Sequence, residues 1–205
     1  MSKVVINAED LYFLSRVMKA KYIDYDYFKM VSELTSRFAL KESHAIEHLS
    51  DKGLVYEDFT GDIEIEDLGK DLFEPIFFGE FESELLIEDK TSLERYKYHV
   101  LDGRYIEVRI EGKNLYVSEV TKEDILDHIP YMEEPSSKET YHLDYFKDRD
   151  VDGIMVLKRQ KTHQQSKCIQ LVNDNGVFHQ AKGLKIHALT KAELKELMKK
   201  VLWEE

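Results

Sequence analysis

Apolar and polar residues alternate in two stretches of this chain, and each stretch ends where helical spacing takes over. In the first, YKYHV and YIEVRI flank Asp102-Gly103, a two-residue hairpin signal, and Gly112-Lys113-Asn114 leads into LYVSEV. In the second, KCIQLV and VFHQAK flank Asn173-Asp174-Asn175-Gly176, and Gly183 precedes LKIHAL. A period of two assigns faces, with Ile106, Val108 and Ile110 pointing one way and Tyr105, Glu107 and Arg109 the other. Helices are expected at both ends. Residues 9–20 set Leu11, Leu14, Val17 and Met18 on one stripe, and residues 190–203 do the same with Leu194, Leu197, Met198, Val201 and Leu202. Shorter helices are expected over 26–38 and 41–52, the second stopping at Gly53. LVYEDFTGDIEIED then reads as a hairpin turned at Thr60-Gly61-Asp62, followed by a short helix running to Pro75.

The two stretches echo one another. VTKEDILDHI, residues 120–129, returns 69 positions later as LTKAELKELM, residues 189–198. Each copy starts a helix: Thr121 and Thr190 are placed to cap it, with Asp124 and Glu193 three residues on, and Val120 with Ile125 and Leu189 with Leu194 form the hydrophobic staple. INAEDL repeats the device at the start of the chain, with Asn7 as cap and Ile6 against Leu11. The same offset sets LLI (85–87) on IMV (154–156) and GKNLYV (112–117) on AKGLKI (181–186). The pattern therefore predicts an α+β fold in one domain, 1–205, in which each half is a meander followed by a helix. The halves cover about 1–129 and 150–205, joined by a connector, 130–149, whose tyrosines and Phe146 give it something to pack.

Composition changes the picture in two ways. Residues 57–94 hold fourteen acidic residues against two lysines, so this one segment carries the whole net charge of -12 and the rest of the chain is neutral. Such a segment reads as a solvated, solubilising face or, alternatively, as a surface that repels nucleic acid and selects a basic or polar partner. The lone cysteine, Cys168, falls in the alternation SKCIQLV and is expected to be a small buried hydrophobe; one cysteine allows no internal disulfide and fits a reducing, cytoplasmic setting. The longest apolar runs, IMVL and PIFF, are too short to span a bilayer.

Candidate chemistry is sparse. His44 and His48 share a helix face with Glu47 between them, but HAIEH is not HExxH and an exposed polar face is expected, with no metal and no cofactor. Glu88-Asp89-Lys90 and Glu111-Gly112-Lys113 follow apolar strands and faintly repeat the carboxylate and lysine pairs of metal-dependent nucleases; Glu88, Lys90, Glu111 and Lys113 are the residues of that alternative, a metal-dependent hydrolase. KRQKTHQQSK, residues 158–167, is the one basic stretch and reads as a hairpin loop. Three N-terminal helices before a hairpin outline a winged helix, yet the wing is acidic where a DNA-binding one should be basic. Neither GxGxxG, GxxxxGK[ST] nor GxSxG occurs.

Four segments carry a family resemblance: INAEDLYFLSRVM; HLSDKGLVYEDFTGDIEIEDLGKDLFEPIF; the strand run 84–120 ending in VTKEDILDHIP; and LKIHALTKAELKELMKKVL. In that order the chain resembles the EspG-type cytosolic chaperones of type VII (ESX) secretion and their Gram-positive relatives that escort toxins. The resemblance implies a central antiparallel sheet of two pseudo-twofold halves flanked by helices, with no catalysis of its own. It also implies capture of a secreted helical hairpin protein or toxin, of the LXG or WXG kind, which is kept soluble for export. Nucleic acid and membrane insertion are not expected, and a homodimer is compatible with this reading. Tyr96, Tyr98, Tyr105, Arg109 and Tyr116, the aromatic and basic residues of the strands, are the candidates for partner contact.

Overall fold

The computed structural model describes residues 3–21, 23–35, 42–136, 140–161 and 166–203. Strand β1 (Lys3–Asn7) leads into helices α1 (Ala8–Val17), α2 (Tyr25–Thr35) and α3 (Glu42–Ser50), a hairpin of β2 (Val55–Glu57) and β3 (Ile63–Ile65), and helix α4 (Asp67–Phe78). Four strands follow, β4 (Phe81–Asp89), β5 (Leu93–Leu101), β6 (Arg104–Glu111) and β7 (Asn114–Val120), and then the short helix α5 (Lys122–Asp127). After β8 (Thr140–His142) and a 3₁₀ turn (Leu143–Phe146) come β9 (Gly153–Lys161), β10 (Lys167–Asp174), β11 (Val177–Lys182), β12 (Lys185–Ala188) and α6 (Lys191–Leu202). This is the expected α+β class, a large antiparallel sheet flanked by helices. Residues 36–38 and 41 of the expected helices, and 162–165 of the basic stretch, lie outside the described residues.

The chain forms two compact units, residues 1–80 with 98–120, and 81–97 with 121–205; β5 contributes to both. In the first, the strands run β1-β7-β6-β5. Their alternation puts Ile6, Ile106, Val108, Leu115 and Val117 on one face, where they pack into a core with Leu11 and Leu14 of α1, Leu49 of α3 and Leu72, Phe73 and Phe77 of α4. Each such side chain contributes roughly 1.5–3 kcal/mol by leaving water. Asn7 closes β1 and opens α1 in one residue: its Oδ1 accepts the N–H groups of Glu9 and Asp10, while its own N–H donates to the Asp10 carboxylate. α1 stops three residues before its expected end because Lys19 turns left-handed (φ +56°), which lets the Ala20 N–H reach the Ser15 carbonyl at 2.8 Å. Pro75 does not end α4. It sits inside the last turn, where only one N–H is lost, and the buried Phe73 and Phe77 on either side hold that turn against the core.

In the second unit the strands run β5-β4-β9-β10-β11-β12-β8. Leu85 and Ile87 pair with Leu157 and Met155, Leu171 continues the row from Met155, and α6 packs on β9 and β10 through Leu194, Met198, Val201 and Leu202. β8 and its 3₁₀ turn show that the connector packs as expected: Tyr145 stacks on Tyr141 at 4.1 Å, Phe146 meets His179 at 5.1 Å, and Arg149 lies 4.1 Å from the Tyr145 ring.

Both expected caps at the helix starts are present as capping boxes, Thr121 with Asp124 and Thr190 with Glu193. The strands between obey a different spacing. The first turns, Asp102-Gly103 and Asn175-Gly176, are 73 apart; the second, at Gly112 and Gly183, are 71 apart; the caps are 69 apart. The second copy therefore loses two residues in each of two steps, and even losses keep every side chain on its face. A fixed offset of 69 fails in the strands for that reason: it sets buried Leu85 on the half-buried Ile154, and buried Leu115 on Leu184, which is 70% exposed, whereas Ile186 is the buried counterpart. Cys168 also departs from expectation. It is exposed, because the inward phase of β10 is Ile169 and Leu171, and Cys168 lies opposite Lys158 on the other side.

Candidate functional site

The five partner-contact candidates divide into two sets. Tyr96 and Tyr98, two apart on β5, are only 5% and 1% exposed. The Tyr96 hydroxyl donates to Glu94 at 2.6 Å and its ring stacks on His128 at 4.0 Å, so these two tyrosines serve packing in this conformation. Tyr105, Arg109 and Tyr116 share the face of β6 and β7 that points away from Ile106 and Val108, and of the three Arg109 and Tyr116 meet. Arg109 lies directly across the ladder from Tyr116, which in turn faces Val5. The guanidinium is 4.9 Å from the centre of the Tyr116 ring and 3.1 Å from the Glu111 carboxylate, and the Lys3 ammonium is 5.8 Å from the same ring. Two cations near one aromatic ring, half in solvent, make a patch with an apolar plane and a polar edge. Tyr105 lies at the end of this face, opposite Val120.

A second surface lies in the other unit, on the face of β4, β9 and β10 turned away from α6. Leu86 faces Val156, which faces Gln170; the next row is Glu88, Ile154 and Val172, with His179 beyond. Leu86, Ile154, Val156 and Val172 are all half-buried, so the strip keeps apolar area in water. The row at one end is ionic: Glu84 faces Lys158, with the Arg95 guanidinium also on its carboxylate. Glu88 closes the other end, and beyond it the β4–β5 turn is built on Asp89, whose carboxylate accepts the N–H groups of Thr91 and Ser92, both at 2.7 Å. Those hydrogen bonds hold its pKa down to about 2. Of this surface Glu88 stood out in the sequence, as part of the hydrolase alternative, but Leu86, Ile154, Val156 and Val172 did not, although the signal was there. LLI and IMVL are unbroken apolar runs, and an apolar run in a strand means that both faces are apolar.

Glu88 and Lys90 belong to one unit and Glu111 and Lys113 to the other. Lys90 lies 3.1 Å from Asp150 and 3.4 Å from Asp152, which raise its pKa, and Glu111 pairs with Arg109. Among the described residues no group of three or more His, Cys, Asp and Glu side chains is arranged to hold a metal ion. His48 is turned to the buried Asp10, at 2.7 Å, instead of standing free on an exposed face, while His44 is exposed. Of the basic stretch, Lys158 faces Glu84, and Arg159 is buried with its guanidinium 4.0 Å from the Phe81 ring. Among the described residues no helix is long and apolar enough to cross a membrane.

The sequence matches no protein-family model and no curated protein. Its fold is similar to that of the Mycobacterium tuberculosis type VII secretion system chaperone EspG5, solved in complex with a PE25-PPE41 dimer: the TM-score is 0.65 at 8% identity, over 100% of this chain and 98% of that one.

Proposed function

We propose that this protein is a non-catalytic chaperone or adaptor of the EspG kind, which binds a helical type VII secretion substrate, an LXG- or WXG-like hairpin protein or toxin, and keeps it soluble for export. The observation that carries this reading is the fold likeness to EspG5, which extends over nearly the full length of both chains. The strip of Leu86, Ile154, Val156 and Val172 suits an apolar ridge of a helical hairpin, since its open area is contiguous and its ends are charged. Burial of that strip supplies affinity, and the Glu84–Lys158 row fixes register, because a misplaced helix would leave these charges desolvated and mismatched. The Tyr105, Arg109 and Tyr116 patch is the second contact, polar and aromatic, of the type that discriminates between substrates.

Co-expression with each helical hairpin protein encoded beside it tests this directly. One of them should co-elute with the chaperone at fixed stoichiometry in size-exclusion chromatography and should become insoluble when expressed alone. If every such candidate is soluble alone and elutes apart from it, the proposal fails.

A further inference from the structure

Two features of the surface are unused by that function, and they fit one another. The β2–β3 hairpin presents Phe59 at its tip with 98% of the residue exposed and Tyr56 on its flank. The tip is held firmly: Asp58 Oδ1 accepts the Thr60 and Asp62 N–H groups at 2.8 and 2.9 Å and the Thr60 hydroxyl at 2.6 Å, and Gly61 takes the left-handed turn position at φ +87°. A turn held this way loses little backbone freedom on docking. Every charged residue from Glu57 to Asp67 is acidic, six in all, so the knob is ringed by negative charge.

In the other unit, a groove of about 380 Å³ runs between β11 and α6, floored by Leu189, Ala192 and Leu197. The groove is open on one side, with room for one aromatic ring. Its carboxylates are already engaged: Glu193 accepts from the Thr190 N–H and hydroxyl at 2.9 Å, and Glu196 pairs with Lys199 at 2.7 Å. Lys182 and Lys200 also line it, and neither has an ion pair among the described residues. Leu184, two residues on from Lys182 and next to Lys185, is exposed at the turn that follows β11.

We propose that the protein self-associates by seating Phe59 of one copy in the α6 groove of a second copy, with the acidic collar of the hairpin against Lys182 and Lys200. Apolar knob meets apolar floor, and the acidic collar meets Lys182 and Lys200 on a rim that also carries Glu193 and Glu196. The contact joins two different surfaces, so a reciprocal pair closes a dimer and unreciprocated contacts extend a chain. It is independent of substrate capture.

Sedimentation velocity of the full chain, from micromolar to near-millimolar concentration, reads it out. The wild type should sediment faster as concentration rises, and added salt should weaken the effect. Phe59→Ala should lower the association constant by about tenfold or more, as loss of an aromatic anchor does. The double variant Lys182→Glu/Lys200→Glu, both on the surface, should do the same. A mixture of the two variants should regain a complex, because one supplies an intact groove and the other an intact knob. A wild type that is monomeric throughout, a Phe59→Ala variant that associates like the wild type, or a mixture that fails to recombine would each overturn the proposal.

Discussion

His179 is packed between the edges of Tyr141 and Phe146, with its Nδ1–H donating to the Val177 carbonyl at 2.9 Å. Burial lowers its pKa from the usual 6.5, against a smaller opposite pull from Val177 and Asp174. A histidine with a depressed folded pKa is protonated more readily in the unfolded chain. Its neutral form therefore supports the fold above the unfolded pKa, and that support is lost as pH falls below about 6.5 towards the folded value. Urea midpoints measured from pH 7.5 down to pH 5 should decline more steeply for the wild type than for His179→Gln; parallel curves would show that this imidazole does not report its burial. At the same scale, residue type alone misplaces Tyr96 and Tyr98, because nothing in a tyrosine says which side of a strand is covered, and it misplaces Cys168 because the phase of β10 is set by Ile169 and Leu171.

Turns and caps were the most legible elements. Asp102-Gly103, Asn175-Gly176 and the three capping boxes stand where local chemistry puts them, since each depends on residues two or three positions apart. Asn7→Ala should lower stability by about 1 kcal/mol, seen as a shift in the urea midpoint, while Asn7→Ser should retain most of it. The strands were less legible. Pairing of β4 with β9 joins residues about 70 positions apart, and its register is fixed by which apolar residues share a core, a matter no local window contains. Gly153 marks that register. A Cβ there would stand 2.3 Å from the Glu88 carbonyl oxygen, so the ladder must open to admit it. Gly153→Ala should cost about 1–3 kcal/mol in a urea or thermal melt; an unchanged midpoint would mean that β9 starts further along.

At the scale of the molecule, two compact units each pair strands with helices on one face and leave a second face partly open. The acidic run 57–94 is shared between them, from the β2–β3 hairpin to the start of β5. Architecture and class could be read from the sequence because two period-two stretches and two capped helices recur in order. The open strip could not, since Leu86, Ile154 and Val156 look identical to core residues until register assigns them outward. The proposed adaptor role is one of surface, and a charge placed on that surface should act on binding and spare the fold. The most direct test of the account is therefore calorimetric titration of the co-eluting helical substrate into wild type and Val156→Glu, with matched melting temperatures as the control. The substituted strip should bind at least about tenfold more weakly, with Arg109→Glu weakening binding by a smaller factor. Equal affinity for wild type and Val156→Glu would contradict it.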